Sequence, residues 1–104
     1  MYIIETTDQF DLWLRKLKDF SGKARILARL KNVELGNLGD HKAITKTIWE
    51  FRFKIGPGYR VYYTVKGDTV ILLVNGGNKG SQSRDIEKAK KILKELEVQN
   101  EKKS

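Results

Sequence analysis

The 104-residue sequence has no cysteine, which excludes a disulfide scaffold, a cysteine-ligated zinc site and thiol catalysis. Its single histidine, His41, cannot build a multi-histidine metal centre, so neither a metal nor a cofactor is expected. Long hydrophobic runs are missing too: the longest, Val70 to Val74, falls far short of the ~20 residues a membrane helix needs. The opening MYIIETTDQF has neither a basic n-region nor an apolar stretch of signal length, and the expectation is a soluble, cytoplasmic protein with no membrane partner. A chain this short fits one domain. It buries roughly two-thirds of the surface its unfolded form exposes, enough for one core without staples.

Acidic residues are the other shortage, and the shortage is local. Lys plus Arg number 21 against 13 Asp plus Glu, a net charge of +8. Residues 1 to 40 and 85 to 104 each carry only +1. Residues 41 to 84 set Lys42, Lys46, Arg52, Lys54, Arg60, Lys66, Lys79 and Arg84 against only Glu50 and Asp68, a net of +6. One contiguous stretch therefore carries the field. A localised basic surface of this kind is the footprint of a polyanionic partner, either nucleic acid or an acidic protein.

Hydrophobic periodicity predicts the order strand, two helices, three strands, helix. Tyr2, Ile3 and Ile4 form a short strand. Thr6 with Gln9 has the form of a capping box, and Phe10, Trp13, Leu14 and Leu17 then recur at helical spacing over about residues 7 to 19. Ser21 and Gly22 break that helix. Ile26, Leu27, Leu30 and Val33 restore the stripe as far as Gly36, and so short a link predicts an antiparallel helical hairpin. Its Lys16, Lys18, Arg25, Arg29 and Lys31 read as solvated faces. From Ile48 the period becomes two: Trp49, Phe51, Phe53 and Ile55 share one face, Glu50, Arg52 and Lys54 the other. The next run puts Tyr59, Val61, Tyr63 and Val65 opposite Arg60, Tyr62, Thr64 and Lys66 in the same way. A turn at Gly56, Pro57 and Gly58 pairs Phe51 with Tyr63, Arg52 with Tyr62, and Lys54 with Arg60. Two cations facing each other cost stability that a bound anion would relieve. The run from Thr69 to Asn75 is apolar on both faces and should be central. Gly76 to Gly80 reads either as a flexible loop or as converging amides for an anion, with Lys79 at the sheet edge. Ser83 can cap the last helix, whose stripe is Ile86, Ala89, Leu93 and Leu96. The expected fold class is α+β, with an N-terminal helical hairpin packed on a small, mainly antiparallel sheet and a C-terminal helix.

Three strings carry a family resemblance: GNLGDHK at 36 to 42, WEFRFKIGPGYRVYY at 49 to 63, and GGNKGSQSRDIEKA at 76 to 89. Together they resemble the HigB-like addiction-module killer proteins of the RelE/ParE toxin superfamily. Thr47, where a glycine is common, and Asn78, where an acidic residue is common, depart from that pattern. The resemblance implies a RelE-like toxin domain over residues 1–98, followed by a polar tail over 99–104. It further implies a type II toxin held inactive by a cognate helix-turn-helix antitoxin, which in the RelE and HigB branches cleaves mRNA on the ribosome. A ParE-like gyrase inhibitor and a non-catalytic nucleic-acid-binding module are the alternative readings.

RNA carries its own nucleophile, the 2′-hydroxyl beside the scissile phosphate. A metal-independent endoribonuclease then needs cations aimed at the phosphate, which provide most of the transition-state stabilisation, and proton-transfer groups worth ~10²–10⁴-fold each. Arg52, Lys54, Arg60 and Lys79 can converge on one phosphate from the open face and its edge. Arg60 matches the superfamily's strand arginine and is the first candidate for stabilising the transition state. Lys54, crowded by arginines, is a candidate base, and Lys79 a candidate phosphate ligand or acid. Asp85 stands where some HigB relatives keep an acidic catalytic residue, although helix capping explains it equally well. Lys46, Tyr62 and Arg84 are candidate RNA-binding residues. Tyr62 is able to stack on a base, with half-buried sheet packing as the equal alternative.

Overall fold

The first helix begins one residue later than the capping box predicts. Thr7, not Thr6, is its cap: the Thr7 hydroxyl accepts from the Phe10 amide at 3.0 Å and donates to the Val74 carbonyl, fastening the start of the helix to a central strand. This helix, α1, spans Asp8–Lys16 and stops three residues before the expected end, because Leu17 already has extended backbone. Asp19 then caps α2, Phe20–Glu34, accepting from the Gly22 amide at 3.0 Å. Ser21 and Gly22, expected to break the helix, lie inside its first turn. Gly22 is needed there because the Tyr59 ring and the Asp19 carboxylate occupy the space of a Cβ.

The computed structural model describes residues 1–103. Five strands form one sheet: β1 Ile3–Thr6, β2 His41–Ala43, β3 Trp49–Arg52, β4 Tyr59–Lys66 and β5 Val70–Asn78. Their order is β1-β5-β4-β3-β2, with β1 parallel to β5 and the other pairs antiparallel. The helical hairpin carries the chain from β1 at one edge of the sheet to β2 at the other, and the β2–β5 meander then returns to lie beside β1. A 3-10 turn, Lys79–Ser81, leads into α3, Gln82–Lys103. This is the α+β architecture expected from the periodicity. Strand β2 was not anticipated, and α3 runs on through positions that read as a polar tail from Gln99.

The β3–β4 register differs from the expected one by two residues. Phe51 pairs with Val61, Glu50 with Tyr62, and Arg52 with Arg60. A two-residue slip leaves every side chain on its predicted face while changing its neighbours. Strand β3 ends at Arg52, so Lys54 and Ile55 lie in the loop, and the opposed cations are Arg52 and Arg60 rather than Lys54 and Arg60.

Both faces of the sheet are covered. The helical hairpin packs on a core of Phe10, Ile26, Val33, Phe51, Val61 and Tyr63, among others. Helix α3 packs on the opposite face over Ile48, Tyr62, Leu72, Val74, Ala89 and Ile92. Ile92 thus joins the predicted stripe. The face expected to be open is closed by α3 along much of its length.

Candidate functional site

Two cross-strand rows on the α3 side of the sheet are polar. One runs Arg52, Arg60, Gly77 across β3, β4 and β5, and the next runs Glu50, Tyr62, Asn75. Strand alternation puts all six positions on one face, and the first turns after β5 fold over them. Gly76 and Gly77, expected in either a flexible or an anion-binding loop, are strand residues instead. A Cβ on Gly76 would meet the Trp13 ring on the hairpin side, and one on Gly77 would meet the Asp85 carboxylate on the α3 side. The glycines make room for close packing on two faces, which leaves the proposed amide cradle without a loop to form it.

Arg60 is the centre of this arrangement. Its side chain is 13% exposed, and Nε stands 3.5 Å from Oε2 of Glu50, whose side chain is 1% exposed. This is an ion pair that is not aligned as a hydrogen bond. Nη1 donates to the carbonyls of Gly58 and Tyr59, each at 3.2 Å. Gln82 at the start of α3 donates from Nε2 to both oxygens of Glu50, at 2.7 and 3.1 Å. Lys79 lies alongside: its amide donates to the Gly58 carbonyl at 2.9 Å, and its Cβ is near Gly58. Lys79 itself is exposed, so a half-buried arginine held by Glu50 and two carbonyls sits beside an exposed lysine.

Asp85 and Asn75 are buried within the cluster, while Asn78 and Ser81 are half-buried. Asp85 is 9% exposed; its carboxylate accepts from the Ser81 hydroxyl at 2.5 Å, and its carbonyl accepts from the Asn75 amide at 3.0 Å. Asn78 caps the 3-10 turn through the Gly80 and Ser81 amides, taking the capping place predicted for Ser83. Tyr62 is fully buried, and no face of its ring is open to stack on a base, which corrects its expected RNA-binding role. Burial, with the nearby charges of Glu50 and Asp85, pushes its phenol well above the ordinary range. Arg60 Nε, the Tyr62 hydroxyl and Asn75 Oδ1 are buried without a hydrogen-bond partner, so unsatisfied polar atoms gather at this cluster.

The structure places the other predicted residues in separate settings. Arg52 is turned to Asp40, with Nε and Nη2 donating to Oδ1 at 3.2 and 2.9 Å. That bond, with the charges of Arg52, Lys54 and Arg29, holds the Asp40 carboxyl below its ordinary value. Lys54 is exposed in the β3–β4 loop, where it shares the Asp40 carboxylate with Arg52 and Arg29 and is not paired with Arg60. Arg84 is exposed on the first turn of α3. Lys46 is exposed in the turn before Trp49, at the opposite end of β3 from Arg52, and is not brought to Arg60. Arg29, expected on a solvated face, is a structural tie. It donates to the carbonyls of Asp40 and Arg52 at 3.2 and 2.9 Å and lies 4.5 Å over the Phe53 ring.

Glu50 and Gln82 are the members that sequence reading missed. The signal for Glu50 was present: it is one of only two acids among residues 41 to 84, on the same strand face as Arg52. Gln82 gave none, since its contact with Glu50 spans 32 residues. Among the described residues no group of three His, Cys, Asp or Glu side chains converges as metal ligands do, and no helix is long and apolar enough to cross a membrane.

The sequence profile of the phage-derived Gp49-like proteins (DUF891) matches residues 12–97, which takes in α2, strands β2 to β5 and most of α1 and α3. The chain belongs to this Gp49-like family. It is 44% identical over 93 residues to an uncharacterized protein of Haemophilus influenzae, covering 89% of this chain and 94% of that one. The Gp49-like fold is also similar to a chain in the crystal structure of the intact E. coli RelBE toxin–antitoxin complex. The TM-score is 0.62 at 17% identity, over 75% of this chain and 96% of the other. The fold is therefore RelE-like, as the resemblance implied.

Proposed function

We propose that this Gp49-like protein is the toxin of a type II toxin–antitoxin system, and in finer detail a HigB-like, ribosome-dependent mRNA endoribonuclease. The family and the RelE-like fold support a RelE/ParE-type toxin. The observation that carries the finer reading is Arg60: an arginine fixed by Glu50 and by two backbone carbonyls, beside exposed Lys79, within the stretch of sequence that carries a net charge of +6. Such a clamp suits a phosphate whose negative charge grows in the transition state, because it needs no reorganisation as the charge develops.

In the reaction, the RNA 2′-hydroxyl gives its proton to water as its oxygen attacks the adjacent phosphorus, the P–O5′ bond breaks and the leaving 5′-oxygen takes up a proton, which leaves a 2′,3′-cyclic phosphate and a free 5′-hydroxyl. Arg60 stabilises the pentacoordinate phosphate. Lys79 binds the same phosphate or protonates the leaving 5′-oxygen, and exposed Lys54 and Arg84 extend the cationic rim. Asp85, tied to Ser81 and packed on Gly77, serves to seat α3. The domain over residues 1–98 works in the cytoplasm, on mRNA at the ribosome, and is silenced by a cognate helix-turn-helix antitoxin.

The experiment pairs induced expression with primer extension on translated mRNA. New 5′ ends and growth arrest are expected from the wild type, and both should be lost in a folded Arg60→Ala variant, with cleavage down about 10²–10³-fold. Growth arrest without new 5′ ends, together with inhibited gyrase supercoiling, would replace this reading with the ParE-like one. Nucleic-acid binding with neither effect would reduce it to a binding module.

A further inference from the structure

The Glu50 carboxylate is buried, its side chain 1% exposed, and its polar contacts are the ion pair with Arg60 and the hydrogen bonds from Gln82. A buried ion pair is weak grounds for stability, since well-packed apolar residues of the same volume usually serve a fold as well or better. Glu50 is too enclosed to reach a substrate proton. What its position does determine is where the Arg60 guanidinium can go. It lies diagonally across the β3–β4 ladder from Arg60, one row along, which sets its carboxylate beside Nε. Gln82 grips both carboxylate oxygens and so fixes the plane of the carboxylate. The Gly58 and Tyr59 carbonyls hold Nη1 from the other side.

We infer that Glu50 is a positioning residue which, held by Gln82, aims the Arg60 guanidinium at the scissile phosphate. The inference deepens the proposed RNA cleavage and rests on it, and it adds a requirement of its own: the first turn of α3 belongs to the site because Gln82 orients the carboxylate that orients the arginine. Glu50 supplies counter-charge on the Nε side, so the cation stays in place at the rim and does not swing to the Asp40 carboxylate already bound by Arg52, its cross-strand neighbour.

The test has two arms on the full-length protein. In the first, side-chain ¹⁵N spectra follow solvent exchange at the Arg60 Nε–H, assigned with Arg60→Lys. Exchange should be at least about tenfold faster in Glu50→Gln than in the wild type, because the buried counter-charge is gone. In the second arm, cleavage of a ribosome-bound mRNA should show kcat lowered about 10²-fold in Glu50→Gln, the scale on which misplacement acts, with KM within about threefold. The double variant Glu50→Gln, Arg60→Ala should be no slower than Arg60→Ala alone, since both changes remove one unit. Wild-type cleavage retained in Glu50→Gln, or effects that multiply in the double variant, would overturn the inference and leave the endoribonuclease reading standing. If the wild type cleaves nothing, the functional reading fails, and unchanged Arg60 exchange would separately overturn the aiming role. If Glu50→Gln does not fold, Gln82→Ala replaces it, keeping the ion pair while freeing the carboxylate. A loss in kcat of about tenfold is then expected, and no loss would reject the inference.

Discussion

The two faces of the sheet are made from alternate residues of the same strands, yet they are built from different materials. The hairpin side is apolar and aromatic throughout its buried set: Phe51 stacks on Tyr63 with ring centroids 4.0 Å apart, and Trp49 lies 6.2 Å from Tyr63. The α3 side divides along its length. Under Ala89 and Ile92 it is apolar, but under the first turns after β5 it buries Glu50, Asn75 and Asp85. Towards the C-terminal half of α3 a groove of about 620 Å³ opens between the helix and the sheet at Thr64, Leu72 and Leu96. Helix α3 is therefore pinned at its N-terminal end largely by polar contacts. Buried charge and unpartnered polar atoms work against stability, so their concentration in one half of one face marks where the molecule departs from the rules of a plain core.

If the hairpin face supplies stability and the polar half of the α3 face supplies activity, the two should fail separately. The largest effect is expected from Phe51→Ala, which removes a fully buried ring from the hairpin core. It should cost about 3–5 kcal/mol of a total near 5–15, as read from urea unfolding. A loss below about 1 kcal/mol, the range of ordinary surface changes, would mean that the hairpin face is not the structural one.

A sharper division comes from two adjacent glycines of β5. Gly76→Ala would drive a methyl into Trp13, and Gly77→Ala would drive one into the Asp85 carboxylate. Each should cost about 1–3 kcal/mol, the scale of overpacking. Activity per folded molecule should survive in Gly76→Ala and fall in Gly77→Ala, because only the second displaces the turn that carries Gln82. Equal activity in the two variants, measured at matched folded fractions, would erase the distinction between the faces.

Much of this was legible from period alone. Alternation assigned Trp49, Phe51 and Phe53 to one face and Glu50, Arg52 and Arg60 to the other, and a two-residue slip in pairing preserved those faces while replacing every partner. The missing element, β2, is three residues long and exposed throughout, so it has no apolar pattern to read. The glycine run misled because close packing and a flexible loop call for the same residue, and only the Trp13 and Asp85 contacts across the fold tell them apart. Local sequence leaves Tyr62 equally able to stack on a base or to pack half-buried in the sheet, because α3 follows it by some twenty residues and nothing local says which face a distant helix will cover. The cation-rich stretch contains both Arg52 and Arg60, but the pairings of Arg52 with Asp40 and Arg60 with Glu50 depend on the register and on the loop before β2.

The smallest predicted effect concerns how the hairpin face responds to acid. Asp19 caps α2 through the Gly22 amide and accepts from the Tyr59 hydroxyl at 2.8 Å, and these bonds hold its carboxyl below the ordinary value of 3.8. A carboxylate whose pKa is lower in the folded chain contributes stability that is present above its unfolded pKa and is lost as pH falls through the folded one. Asn at the same position can still cap the helix, so Asp19→Asn removes the titrating charge and leaves the cap. The wild type should therefore be modestly more stable than Asp19→Asn at pH 7, and the two urea midpoints should converge as the pH is taken below 3.8. Because Tyr59 belongs to the hairpin core, the same acidification should loosen its ring before it disturbs Tyr62 on the opposite face. A gap between the midpoints that stays constant from pH 7 down into the acid range would show that the Asp19 charge adds nothing to the hairpin face beyond its capping bond.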